Sequence, residues 1–224
     1  MRYAPKRVYT WSADTAYCVG LIASDGCLSK DGRHIDLTST DIEQLNNFCT
    51  ALRRDIPVAS KSNASSTPAY HLQFSDVAFY DFLLAAGLTP AKSMTISSVS
   101  VPDEFYRDLL RGILDGDGCV RGYMDPRWTN SLMFYTEFAS ASPQFIQFIR
   151  DKNVELFGVT KGSVHQSPGV QTLRYAKKDS IKLASALYYA DTAVSLSRKR
   201  LKLLNFVKQH EAAIIARNAR VAEW

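Results

Sequence analysis

The chain has 224 residues, 46% of them hydrophobic and 22% charged, an ordinary balance for a soluble globular protein of one large domain or two of about 100 residues. No apolar run approaches the roughly 20 residues of a membrane span, and the basic start (residues 1–7) is followed by no hydrophobic signal core. An intracellular protein with no membrane association and no cleaved leader is therefore expected. The four cysteines (Cys18, Cys27, Cys49, Cys119) show no CxxC spacing and the four histidines no HxxxH, which argues against a zinc site and a disulfide framework. The net charge of +5 sits in the tail. Residues 1–98 hold 9 Lys+Arg and 9 Asp+Glu, residues 99–194 hold 11 of each, and the last thirty hold 7 against 2. A surplus of that size on one helix does not by itself indicate nucleic acid.

Ser12 is a good N-cap for a helix over 13–24 that stops at Gly26, glycine being suited to a left-handed C′ position. Short runs at 27–29 and 33–38 flank Lys30-Asp31-Gly32, a strong hairpin signal. An amphipathic helix runs from Thr40 or Asp41 to about Arg54, with Ile42, Leu45, Phe48, Cys49 and Leu52 on one face. Residues 57–62 and 69–74 read as a second hairpin around the polar connection 63–68, and Asp76 opens a helix closed by Gly87. Residues 97–102 have linker character, which divides the chain into 1–98 and 99–224. The order then repeats: helix 103–116, strands 119–123 and 131–139, helix 143–157, hairpin 162–166 with 170–176, helix 179–189. A last helix, 197 to about 217, has no long counterpart in the first half. The expected fold is α+β, two pseudo-symmetric halves each built helix–hairpin–helix–hairpin–helix.

Each half opens on the same nine-residue phrase, CVGLIASDG at 18–26 and LRGILDGDG at 110–118, followed both times by a cysteine. Gly20 and Ser24 are four apart, as are Gly112 and Gly116, so each pair shares a helix face. Small residues there let two helices pack backbone to backbone, which would offset the ~0.5–1 kcal/mol cost of a mid-helix glycine. Helices packed that way end side by side and bring Asp25 and Asp117 together. A carboxylate in the last turn opposes the helix dipole, and two converging make an anionic site that a divalent cation would relieve. Hard oxygen donors suit Mg²⁺ completed by water and phosphate oxygens, and such a site can activate water against a phosphodiester and stabilise the leaving oxygen. A lone Asp-Gly is ordinarily a turn; its recurrence in register weighs against that here. Residues 115–126 are no EF-hand loop, because Cys119 stands at the fifth place and Pro126 at the twelfth.

The repeated phrase resembles the motif of the LAGLIDADG homing endonucleases of the single-chain, two-motif type, over roughly residues 12–210. The second copy is a close match. The first has Cys18 and Val19 for Leu-Ala and Ala23 for the first Asp, but keeps Asp25. The resemblance implies an αββαββα fold in each half, motif helices packed at the interface, and antiparallel sheets forming a DNA-binding saddle. It implies a monomer with no obligate protein partner, encoded in an intron or intein, that cuts both strands of a long double-stranded DNA target across the minor groove. Asp25 and Asp117 would be catalytic and metal-binding, with Ser24 and Gly116 offering main-chain oxygens. Mg²⁺ is the implied cofactor, with Mn²⁺ substituting and Ca²⁺ binding without cleavage. A basic residue from each half would stand beside the site, Lys92 in PAKS and Lys199 in SRKR, to stabilise charge on the scissile phosphate or order the attacking water. For each, a solvated surface lysine is the ordinary alternative. Ser39 and Ser140, ending the second strands, are candidate water or phosphate contacts.

DNA reading would fall to the strands, since a two-stranded ribbon fits the major groove. Lys30, Arg33, Lys61, Gln73, Arg121, Arg127, Lys161, Gln166, Arg174 and Lys177 are the candidates, phosphate contacts giving affinity and base contacts specificity. The basic last helix would brace the second half or touch backbone phosphates. A competing reading keeps the fold without cleavage, as an RNA maturase or a DNA-binding regulator. Retention of both aspartates argues against a purely binding role, because a scaffold needs only the glycines. A structural protein with fortuitous motifs is the third reading and would show no salt-dependent DNA affinity.

Overall fold

The structure, a computed structural model, describes residues 7–61, 68–127 and 131–222. The basic start 1–6, most of the connection 63–68 and residues 128–130 of the loop after Pro126 lie outside them. Ser12 caps α1 (Ala13–Asp25) reciprocally with Thr15, satisfying two of the N–H groups a helix start leaves open. Then come β1 (Gly26–Leu28), β2 (His34–Ser39), α2 (Ile42–Leu52), β3 (Val58–Lys61), β4 (Ala69–Ser75) and α3 (Val77–Ala85). The second half repeats the order with α4 (Asp103–Asp115), β5 (Cys119–Met124), β6 (Leu132–Ser140), α5 (Pro143–Phe157), β7 (Ser163–Ser167), β8 (Val170–Ala176) and α6 (Lys177–Leu187), and α7 (Ser197–Ala222) closes the chain. No helix of the described residues is long and apolar enough to cross a membrane.

Two antiparallel four-stranded sheets result, ordered β1-β2-β4-β3 and β5-β6-β8-β7. The register repeats as well. The cysteine after the motif faces an acid in both sheets, Cys27 opposite Asp36 and Cys119 opposite Glu137. One face of each sheet packs on the helices through Ile35, Leu37, Leu72 and Phe74 in the first half and Phe134, Phe138, Leu173 and Tyr175 in the second. Strand side chains alternate, so His34, Asp36, Thr38, His71 and Gln73 fall on the opposite face, away from the core. At the centre α1 and α4 lie against each other, buried over Ala16–Ala23 and Asp108–Asp115.

The observed elements depart from expectation in instructive places. Gly26 is extended (φ −89°, ψ 157°), so left-handed freedom is not why glycine stands there. An added Cβ would lie 2.7 Å from Ile22 Cα, and one at Gly118 2.6 Å from Leu114 Cα. These glycines let the chain fold back tightly over its own last helical turn. Helix α6 starts at Lys177, ahead of the expected start at residue 179, and α7 extends to Ala222. A turn of 3-10 helix, Lys92–Met94, follows Ala91, whose backbone is left-handed (φ 58°), a placement uncommon for a residue with a Cβ.

Helix α7 braces the second half. The Phe206 ring stacks on Phe134 at 5.6 Å and fills the space over Gly122, where a Cβ would meet it at 2.5 Å. Its start is tied to the first half: Glu43 accepts from the Ser197 N–H at 2.9 Å, Arg198 pairs with Asp41 at 2.8 Å, and Asn47 donates to the Ser195 carbonyl at 2.9 Å. Buried Arg111 holds the segment before α7 by donating to the Leu187 and Val194 carbonyls at 3.0 and 2.8 Å.

Candidate active site

The small residues of the repeated phrase face each other across the α1–α4 contact. A Cβ on Gly20 would lie 2.2 Å from the Leu109 carbonyl oxygen, and one on Gly112 2.3 Å from that of Tyr17. One turn further on, a Cβ on Gly116 would lie 1.9 Å from Ser24 Oγ and 3.2 Å from Asp25 Oδ2. Only glycine fits at these three positions. Ser24 turns its hydroxyl back into its own helix, donating to the Gly20 and Leu21 carbonyls. The motif helices therefore end together, and the Asp25 carboxylate of one half lies over Gly116 of the other.

Asp25 and Asp117 form one electrostatic cluster with Lys92 and Lys199. Burial pushes the Asp25 carboxyl up to about 6, the Asp117 carboxylate adds to the shift, and Gln44, Lys199 and Lys92 oppose it. Asp117 is shifted upward as well, by loss of water around it, although its side chain still reaches solvent. Neither lysine is a solvated surface residue. Lys92 is 4% exposed and Lys199 6%. Each is turned onto the end of its own motif helix: Lys92 donates to the Gly26 carbonyl, and Lys199 to the carbonyls of Leu114, Asp115 and Gly116 at 2.8, 2.7 and 2.8 Å. These include orphan acceptors that a helix C-terminus leaves open, and a cation there complements the dipole. Burial lowers both ammonium pKa values, while the neighbouring carboxylates hold them up.

Among the described residues no group of three acidic, histidine or cysteine side chains could hold a metal, so any metal between the helix ends would have to rest on the carboxylate pair. That pair fits a hard divalent ion completed by water and phosphate, as magnesium ordinarily binds. The Gly116 carbonyl already accepts from Lys199 and could offer only its second lone pair, beside a fixed positive charge.

No family model matches the chain, and no curated protein sequence matches it. Solved structures do. The homing endonuclease I-WcaI bound to its DNA recognition sequence superposes with a TM-score of 0.62 at 11% identity, over 91% of this chain and 95% of that one. The N-terminal LAGLIDADG domain of DUF199/WhiA gives 0.53 at 15% identity, over 80% and 83%. I-DmoI in complex with DNA and Ca gives 0.52 at 14%, over 80% and 91%. The chain has the LAGLIDADG fold.

Within that fold the other expected site residues separate. Ser39 and Ser140 occupy equivalent turns, each Oγ accepting the main-chain N–H two residues on, from Asp41 at 3.0 Å and Ser142 at 3.1 Å. Of the DNA-contact candidates, Lys61, Gln73, Arg121, Gln166 and Arg174 lie on strands. Lys30 and Arg33 lie in the β1–β2 turn, Arg127 in the β5–β6 loop, Lys161 before β7 and Lys177 at the start of α6. Several are held by acids on their own sheet. Glu137 pairs with Arg174 at 2.6 Å and Arg121 at 3.2 Å, Asp125 with Arg127 at 2.9 Å, and Asp31 with Arg33 at 3.5 Å. The equivalent acid in the first half, Asp36, holds His71 at 2.9 Å, and Lys61 donates to Thr38 at 2.9 Å.

Two residues carry roles that the sequence did not assign to them, Asp115 having stood out only as the motif acid that the first copy lacks at Ala23. Gln44, 2% exposed, donates to Asp25 Oδ2 at 2.6 Å. Its one sequence signal is a polar residue on α2 beside the apolar Leu45 and Phe48. Asp115, fully buried, accepts from the Tyr17 hydroxyl at 2.9 Å and the Leu196 N–H at 2.7 Å, which ties the two LAGLIDADG halves together.

Proposed function

We propose that the protein belongs to the LAGLIDADG homing endonucleases and is a site-specific, divalent-metal-dependent nuclease hydrolysing both strands of a long double-stranded DNA target. The observation that carries this reading is the pair of carboxylates, one on each of two helix ends brought together by glycines, with a buried lysine of each half beside them. A maturase or regulator scaffold would need the glycine contact and not the paired acids. The likeness to structures of DNA-bound proteins supports duplex DNA as the substrate, and the likeness to I-DmoI with Ca supports a divalent ion.

Asp25 and Asp117 would hold Mg²⁺, which when bound supplies a polarised water and neutralises charge on the leaving oxygen. The chain's own groups do the rest. Each carboxylate serves the strand that crosses its half. The two ammonium groups are held on main-chain carbonyls, Lys199 through all three of its N–H donors, so they would favour negative charge on a phosphate at the carboxylate pair through space and not by direct hydrogen bonds. The outer sheet faces take the flanking duplex, with Gln73, Gln166, Lys61, Arg121 and Arg174 on strands and the remaining candidates at their rims.

The double variant Asp25→Asn, Asp117→Asn tests this directly. It is expected to bind DNA and cut neither strand, assayed with Mg²⁺ on a site selected from a randomised duplex library; cutting at the wild-type rate sinks the mechanism. A second reading on the same fold, DNA binding without cleavage, predicts that Mg²⁺ would change nothing in the same assay.

A further inference from the structure

Asp25 and Asp117 hold equivalent places and are gripped differently. Gln44 lies between Asp25 and Ser39. Its Nε2 donates to Asp25 Oδ2 at 2.6 Å, and its Oε1 accepts from Ser39 Oγ at 3.1 Å. Ser39 is fixed in turn by the Asp41 N–H at 3.0 Å. The amide orientation follows, since the flipped form would set its oxygen against the carboxylate. The halves can be matched residue by residue here. Asp36 and Glu137 face the motif cysteines, and Ser39 and Ser140 each close the turn into the next helix. Five residues beyond each serine stand Gln44 and Phe145. Phe145 is 2% exposed, packed into the core, and carries no donor. Among the described residues no hydrogen bond reaches the Asp117 carboxylate.

We propose that Gln44 is a positioning residue for Asp25 and that its absence from the second half makes the two strand cleavages unequal. The proposal rests on the nuclease reading above. A charge-assisted bond from a buried, doubly anchored amide fixes the carboxylate rotamer and reserves Oδ2, leaving Oδ1 to bind. Such outer-shell partners orient a metal ligand before substrate arrives. Asp117, with no such partner, takes its final orientation only when metal and DNA are in place. The strand served by Asp25 is therefore cut first, and a nicked duplex with the other strand intact is the intermediate.

The experiment follows each strand of a doubly end-labelled duplex, selected from a randomised library by cleavage with the wild-type chain in Mg²⁺. Gln44→Leu is expected to slow the strand that the wild type cuts first by roughly 10–100-fold, leave the other strand within about twofold, and so reverse the order of nicking. Gln44→Glu keeps the shape but sets a second carboxylate against Asp25, and the same strand should slow at least as much. DNA affinity without metal, and melting temperature, control for folding. Equal slowing of both strands, or no change, overturns the proposal while leaving the nuclease reading intact. Loss of fold in both variants assigns Gln44 a structural role and overturns it too. A wild-type chain that cuts no duplex removes the nuclease reading and this proposal with it.

Discussion

Asp25 ends α1 with its carboxyl pushed up to about 6, and Asp115, fully buried two residues before Asp117, is raised to about 6 as well. A folded-state pKa above the unfolded value means that folding binds the proton more tightly. The stabilisation from these groups is therefore complete below about pH 4, the ordinary carboxylate range, and is lost as pH rises through about 6. In metal-free protein Asp25→Asn is expected to raise Tm at pH 8, by roughly 2–4 °C for each ~1 kcal/mol of repulsion and desolvation removed, and to change it little at pH 4. Ca²⁺ should raise the wild-type Tm at pH 8, where the pair is ionised, far more than at pH 5, and should do nothing for the Asp25→Asn, Asp117→Asn variant. Thermal melts over that pH range, with and without CaCl₂, check both. The two aspartates were legible because an Asp-Gly repeated in register is a local pattern. Gln44 was not, because its role depends on how α2 is rotated against the end of α1, and nothing within α2 records that.

At the scale of elements, the α1–α4 contact allows no added atom at its crossing. A Cβ on Gly20 would press on the Leu109 carbonyl, which is backbone and cannot swing aside. Alanine gains about 1 kcal/mol in helix propensity there, but overpacking costs ~1–3 kcal/mol and occasionally more. Because the clash is with backbone, the upper end of that cost applies, and Gly20→Ala and Gly112→Ala are each expected to lose a net of about 2 kcal/mol in urea unfolding. The helix ends make a graded series. Lys199 satisfies three carbonyls and Lys92 one, so Lys199→Met should cost about 2–3 kcal/mol and Lys92→Met about 1, because unpaired buried acceptors carry the penalty. Equal losses in the same titration would mean that the carbonyl contacts are not what holds α4's end. The helices and hairpins were largely legible from capping residues and period. The lysines' capping role was not, since the turn that aims Lys92 begins at a left-handed alanine, a residue with no turn signal of its own.

At the scale of the whole molecule the repeat showed two halves, and their dependence on each other became visible only in three dimensions. Helix α1 is buried along Ala16–Ala23, and its Gly20 side is covered by α4 of the other half. Tyr17 reaches across to Asp115, and α2 supplies Glu43, Asp41 and Asn47 to the start of α7. Each of these is a polar or aromatic side chain that sequence position alone reads as surface or generic core. The division at residue 98 therefore marks a repeat, and we expect it not to mark a unit that folds by itself. Expressed alone, residues 1–98 would expose Ala16, Tyr17, Gly20 and Leu21, which lie buried in the intact chain. A continuous exposed stripe of this kind drives association. That half is expected to self-associate or stay unfolded by circular dichroism, and to become folded and monodisperse when residues 99–224 are supplied in trans. The intact chain should unfold in one transition, with circular dichroism and tryptophan fluorescence superimposable, because separating the halves opens the core of both. Two resolved transitions, or a first half that is monomeric and folded alone, would show that the α1–α4 contact joins two independent domains, and would remove the rigid frame on which alignment of Asp25 with Asp117 depends.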